Sequence, residues 1–128
     1  MHDDAARSVL IVEDEDNIAL ALEHLMRREG YRLARVANGA EALPAIRRDR
    51  PDLVLLDVML PEVSGYEICQ AVRLDPELKA VKVLMMTARG NQMERRKGLA
   101  LGADGFISKP FDVADLKSEV RRLLADSS

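Results

Sequence analysis

The chain has 128 residues, 48% apolar and only 3% aromatic, with a formal net charge of −3. That length and apolar content suit one domain with a real core and exclude wholesale disorder. The acidic balance argues against a nucleic-acid-binding domain, no apolar run approaches the ~20 residues of a membrane span, and the polar first six residues lack the apolar core of a signal peptide.

Residues 8–12 (Ser-Val-Leu-Ile-Val) form an apolar, β-branched run too short for a helix and predict a buried strand. Asp16 or Asn17 then offers an N-cap, and Ile18, Leu22, Leu25 and Met26 recur at the spacing of one helical face. Gly30 is placed to end that helix. Residues 31–37 are a more polar strand, expected near an edge. Asn38 and Gly39 open a second helix with Ala42, Leu43 and Ile46 inward. Pro44 conflicts with it, since a proline inside a helix clashes one turn back, so a kinked, late-starting or loosely held helix is expected. Residues 53–56 are the most apolar strand, expected at the centre, and they deliver Asp57.

A loop over residues 58–64 leads through Gly65 to a helix over 66–74, stopped by Asp75 and Pro76. Cys69, the single cysteine, excludes an internal disulfide, fits a reducing compartment, and is expected to be a buried structural thiol. Residues 81–86 are a fourth strand that delivers Thr87, and 91–101 a weak helix with no clean apolar stripe. Residues 105–108 are a fifth strand that delivers Lys109. Asp112 with Asp115 resembles a capping box, and Leu116, Val120, Leu123 and Leu124 face inward from a last helix. Five alternations of strand and helix mark a doubly wound parallel α/β sheet, and the whole chain reads as a single domain with its core over 8–125.

Glu13 and Asp14, Asp57, Thr87 and Lys109 follow the first, third, fourth and fifth strands. In an open parallel sheet they share the end where ligands bind. In the flavodoxin-like order 2-1-3-4-5 the first and third strands are neighbours, which brings Asp14 close to Asp57. Clustered carboxylates call for a hard cation; the set is too lean for a calcium cage and has no His or Cys for zinc, which leaves Mg2+. A carboxylate can accept a phosphoryl group, an ammonium and a hydroxyl can stabilise its charge, and these residue types supply all three roles.

The local motifs are Glu13-Asp14-Glu15 after the first strand and Asp57-Val58-Met59-Leu60-Pro61 after the third. Met85-Met86-Thr87-Ala88-Arg89 and Gly102-Ala103-Asp104-Gly105-Phe106-Ile107-Ser108-Lys109-Pro110-Phe111 complete the set. Together they resemble the receiver domain of response regulators in two-component signalling, from about Ser8 to Leu124. The resemblance implies that Asp57 is the phosphoacceptor, fed by the phosphohistidine of a sensor histidine kinase or a phosphotransfer protein. It implies Asp14 as the more direct Mg2+ ligand beside Glu13, the backbone carbonyl of Met59 as a further ligand, and Thr87 and Lys109 as phosphoryl contacts. It also implies a cis Lys109–Pro110 peptide and a switch: Thr87 moves inward, Phe106 turns from outward to inward, and the face of the fourth helix, fifth strand and fifth helix changes. Met59 and Arg89 flank the site at positions that tune phosphoryl lifetime in the family.

The implied protein is a cytoplasmic signalling switch rather than an enzyme, acting on a downstream protein or output domain. It has no membrane or direct nucleic-acid contact, and it is a monomer or weak dimer. The charge network of winged-helix regulators is incomplete, with Gly105 and Glu119 where an acid and an arginine are usual, although Arg95 and Asp115 are available to pair across an interface. Two other classes compete. A haloacid-dehalogenase-type hydrolase needs an acid two residues past the nucleophile, where Met59 stands, and would turn over a phosphate ester. A binding module that has lost phosphorylation would lack one of the five positions, all of which are filled.

Overall fold

Five short aliphatic runs form parallel strands: β1 (Ser8–Val12), β2 (Arg32–Val36), β3 (Leu53–Asp57), β4 (Lys82–Thr87) and β5 (Gly105–Ser108). Between and after them lie α1 (Asp16–Arg28), α2 (Gly39–Asp49), α3 (Gly65–Leu74), α4 (Gln92–Ala100) and α5 (Val113–Ala125). This computed structural model describes residues 6–88 and 92–125. The sheet order is β2-β1-β3-β4-β5, the doubly wound arrangement expected from the alternation. Val12 pairs with both Val36 and Leu56, Asp57 with Met86, and Thr87 with Ser108, so the carboxyl ends of the strands lie level.

Helices cover both faces, as a parallel sheet requires. Leu10, Val12, Val54, Leu56, Val83, Met85 and Phe106 pack on one face with Ala42, Ile46, Ile68 and Val72 from α2 and α3. Val9, Ile11, Leu53, Leu55, Leu84 and Met86 pack on the other with Leu22, Met26, Leu116, Val120 and Leu123 from α1 and α5. Every residue of β3 is buried, as its apolar composition predicts for a central strand. β2 lies at an edge and is only partly covered.

The helix ends follow local chemistry. At Gly30 φ is +89°, the Gly30 N–H donates to the Arg27 carbonyl and the Tyr31 N–H to that of Met26, so glycine closes α1 in a Schellman turn. The N-cap of α1 is Glu15 rather than Asp16 or Asn17, without a side-chain cap bond. Asp16 instead pairs with Arg35, and the Glu15 N–H donates to the Glu13 carboxylate. Pro44 does not delay α2, which starts at Gly39 behind the Asn38 cap. Pro44 and Ala40 are both exposed, which leaves the carbonyl deprived of its helical donor open to water. Ser64 and Glu67 form a capping box on α3, and Asp112 caps α5 by accepting from the Asp115 N–H. A single 3-10 turn, Pro76–Leu78, was not legible in the pattern; it buries Leu78.

Candidate functional site

The carboxyl end of the sheet collects the acidic residues. One carboxylate oxygen from each of Glu13, Asp14 and Asp57 lies within 4.8 Å of the other two. Glu13 and Asp57 are buried and Asp14 is exposed, so the cluster is closed below and open to solvent above. The Lys109 Nζ donates to Glu13 Oε1 at 2.8 Å and lies 3.2 Å from Asp57 Oδ2. One ammonium therefore bridges two of the three carboxylates, and the cluster keeps a net negative charge.

Burial is the largest influence on the Glu13 carboxyl and raises it above the usual range. The hydrogen bonds from Lys109 and the Glu15 N–H pull the other way, and the charge of Asp57 adds to the rise. Burial alone would lower the Lys109 ammonium, but its bond to Glu13 and the charges of Asp57 and Glu13 outweigh it, so it is raised. Glu13 and Lys109 move in the same direction for different reasons: burial dominates at Glu13, and the neighbouring carboxylates dominate at Lys109.

The backbone holds Asp57 from two sides. Its Oδ1 accepts from the Met59 N–H at 3.1 Å, and the next peptide is tied to β4 by the Val58 N–H donating to the Met86 carbonyl. The Gly65 N–H returns to the Val58 carbonyl, bringing the start of α3 against the loop that follows Asp57. A Cβ on Gly65 would sit 2.3 Å from the Asp57 carbonyl oxygen and 2.8 Å from Val58 Cα, so only glycine fits this close approach. The sequence shows Gly65 as punctuation before a helix; its steric role emerges only when the helix start is docked on the strand end.

Thr87 is buried at the end of β4, one residue past the partner of Asp57. Its carbonyl accepts from the Lys109 N–H at 2.7 Å, tying the threonine and lysine segments together, and the Lys109–Pro110 peptide is cis as expected. Met59 is exposed, with only its N–H directed at Asp57. Arg89 lies outside the described residues.

Phe106 points inward: it is buried in the α2–α3 core and would meet a Cβ on Gly98 of α4 at 3.0 Å. The Arg95 guanidinium lies 5.6 Å from its ring centroid. Tyr66, just after Gly65, reaches α4 as well: its hydroxyl bonds Glu94 at 2.9 Å and Lys97 sits 4.4 Å over its ring. Burial first, then the Glu94 bond, pushes the Tyr66 phenol up to about 12. Of the α4 residues only Gly98 is buried, which explains the missing apolar stripe: a side-chain-free surface receives Phe106. No local pattern signals the Tyr66 link, because tyrosine at a helix start reads as core. Cys69 is buried as expected, and burial raises its thiol to about 11. Glu119 pairs with Arg122 of its own helix.

An open parallel sheet in this order, with an acidic cluster and a lysine at its carboxyl end, defines the class of two-component receiver domains. A family model described as the response regulator receiver domain matches residues 9–121. The chain belongs to that family. It is 39% identical over 116 residues to the phosphate regulon transcriptional regulatory protein PhoB of Rhizobium meliloti, covering 91% of this chain and 51% of that protein. It is similar to the chemotaxis protein CheY4 of Vibrio cholerae, with a TM-score of 0.87, 32% identity, and coverage of 94% of this chain and 100% of that one. It is also similar to the receiver domain of sensor histidine kinase PA1611 from Pseudomonas aeruginosa, a structure with a magnesium ion coordinated in the active site cleft. That match has a TM-score of 0.86, 30% identity, and coverage of 94% and 99%. The chain spans about half the length of the curated relatives it matches. Among the described residues no helix is long and apolar enough to cross a membrane.

Proposed function

We propose that Asp57 is the phosphoacceptor of this receiver domain, and that Glu13, Asp14 and Asp57, with the Met59 carbonyl, hold Mg2+. The observation that carries this reading is the Lys109 ammonium bridging Glu13 and Asp57 inside a net-negative cluster. A cluster of hard oxygen donors, short of positive charge and open to solvent at Asp14, suits magnesium, which binds through one or two carboxylates and keeps several waters. Bound there, Mg2+ would neutralise charge on a phosphoryl oxygen.

In the transfer, an Asp57 carboxylate oxygen attacks the phosphorus of a phosphohistidine. A P–O bond forms to Asp57, the P–N bond breaks, and the leaving imidazole takes a proton from solvent. The Met59 N–H and the neighbouring β4 backbone hold the attacking carboxylate in place. Lys109 has only to turn from the carboxylates to a phosphoryl oxygen, and the hydroxyl of Thr87 can donate to another. Met59 offers a thioether where a hydrolase of the competing type needs an acid, so the acyl phosphate persists as a signal instead of being turned over.

The donor is a sensor histidine kinase or a phosphotransfer protein, and the receiver is a domain of residues 1–128 with its core over 8–125, working in the cytoplasm. Its response is a population shift on the α4–β5–α5 face, read by a downstream protein or output domain. Phe106 against Gly98 and Tyr66 against Glu94 tie α4 to β5 and α3, so they are the contacts that shift would remake. Acetyl phosphate with Mg2+ should add one phosphoryl mass to the wild type and none to Asp57→Asn. An adduct that persists in the variant would sink the assignment.

A further inference from the structure

The cation site is supported from a strand that carries none of its ligands. Arg35 lies on the edge strand β2, on the same sheet face as Leu33, which packs against the α1–α5 core. Its guanidinium reaches over the end of β1. Nε and Nη2 donate to the Glu13 carbonyl oxygen at 3.1 and 2.8 Å, and Nη1 pairs with Asp16 Oδ1 at 3.0 Å.

We propose that Arg35 is a positioning residue for the divalent cation: by clamping the Glu13 carbonyl, it fixes the peptide that aims Asp14 at the cluster. The peptide unit is planar, so holding its oxygen holds the orientation of the Asp14 nitrogen and Cα as well. The guanidinium is a rigid planar fork, and two of its donors converge on that one oxygen. The Glu13 side chain is held separately, by Lys109 and by the Glu15 N–H. The Glu13 N–H donates to the Val36 carbonyl at 3.2 Å, so β2 also holds the peptide before it; the Arg35 bonds are what hold the carbonyl that leads into Asp14, which is itself exposed. The pair with Asp16 adds little, because Asp16 is 90% exposed and solvent screens it.

A charge argument and a positioning argument predict opposite signs. Removing a cation beside a carboxylate cluster would, on charge alone, tighten Mg2+ binding. Removing the clamp loosens Asp14 and weakens binding.

This inference rests on reading Glu13, Asp14 and Asp57 as the cation site, and the experiment separates the two. Metal-free protein is titrated calorimetrically with MgCl2, as wild type, Arg35→Met, Arg35→Lys and Asp16→Asn. Amide hydrogen exchange over residues 13–16 is followed without magnesium. Arg35→Met should weaken Mg2+ binding on the order of 10-fold, as loss of a group that orients a metal ligand does. It should also speed exchange in the metal-free protein. Arg35→Lys keeps the charge but not the fork and should fall between Arg35→Met and wild type; Asp16→Asn should stay within about twofold of wild type. Arg35→Met that binds as well as or better than wild type overturns the proposal. If that variant does not fold, wild-type affinity in Arg35→Lys overturns it equally. A loss in Asp16→Asn as large as in Arg35→Met would assign the effect to the ion pair and overturn the carbonyl clamp. Wild type that binds no Mg2+ removes the cation site itself, and Arg35's role with it.

Discussion

Gly65→Ala tests how tightly the start of α3 is docked on the loop that follows Asp57. The new Cβ would stand 2.3 Å from the Asp57 carbonyl oxygen and 2.8 Å from Val58 Cα, where ordinary contact begins at 3.4 Å. Both obstacles are backbone, so no side-chain rotation relieves them, and the loop or the helix must move by about 1 Å. Alanine gains up to about 1 kcal/mol in helix propensity over glycine. Overpacking against backbone costs about 1–3 kcal/mol, so the steric effect wins and the variant should be net destabilised by about 1–2 kcal/mol. A displacement of that size at Asp57 also costs on the order of 100-fold in the rate of phosphorylation. Urea denaturation gives the first quantity, and the rate of mass gain with phosphoramidate and Mg2+ gives the second. A variant with wild-type stability and wild-type rate would refute the close-approach argument. One that loses stability but keeps its rate would show that α3 moves and Asp57 does not.

Three further outcomes follow from the contacts. Lys109→Met leaves Glu13 and Asp57 facing each other without their ammonium and should cost about 3 kcal/mol in urea denaturation at pH 8, less at pH 5 as Glu13, whose carboxyl burial raises, takes up a proton, with part recovered by Mg2+; equal loss at both pH values would contradict it. Tyr66→Phe removes the hydroxyl bonded to Glu94 and should cost about 0.5–1.5 kcal/mol and speed hydrogen exchange in α4, while unchanged exchange there would mean the link does not hold the helix. The buried Cys69 thiol is raised from 9.0 to about 11, so the unfolded chain loses its proton first and stability should fall as pH rises between about 9 and 11. Its share is roughly 2–3 kcal/mol at most, and Cys69→Ala should flatten that part of the stability–pH curve whatever its effect on absolute stability.

The fold was legible because hydrophobic runs of strand length alternate with helical periodicity, and one run, at β3, is apolar throughout and so must be central. The cluster was legible because its members follow strand ends, and a parallel sheet sends all such ends to one side. What escaped was set by packing across elements. α1 begins after Glu15 without a side-chain cap, and Asp16 turns instead to Arg35 in another strand. α4 looked poorly patterned because its buried position is Gly98, which receives a ring from β5. Pro44 looked like a defect because the sequence does not reveal that Ala40 is exposed to water. The steric demand at Gly65 and the reach of Tyr66 to α4 are long-range facts with no local signature.

The central claim is that the phosphoryl group resides on Asp57. The protein is phosphorylated with acetyl phosphate and Mg2+, and the acyl phosphate is reduced with borohydride, which converts a phosphoaspartate to homoserine. Peptide mass mapping should find homoserine at position 57, with Asp14 and Glu13 unchanged. Homoserine at position 14, or a phosphoryl adduct that leaves position 57 as aspartate, would contradict the account.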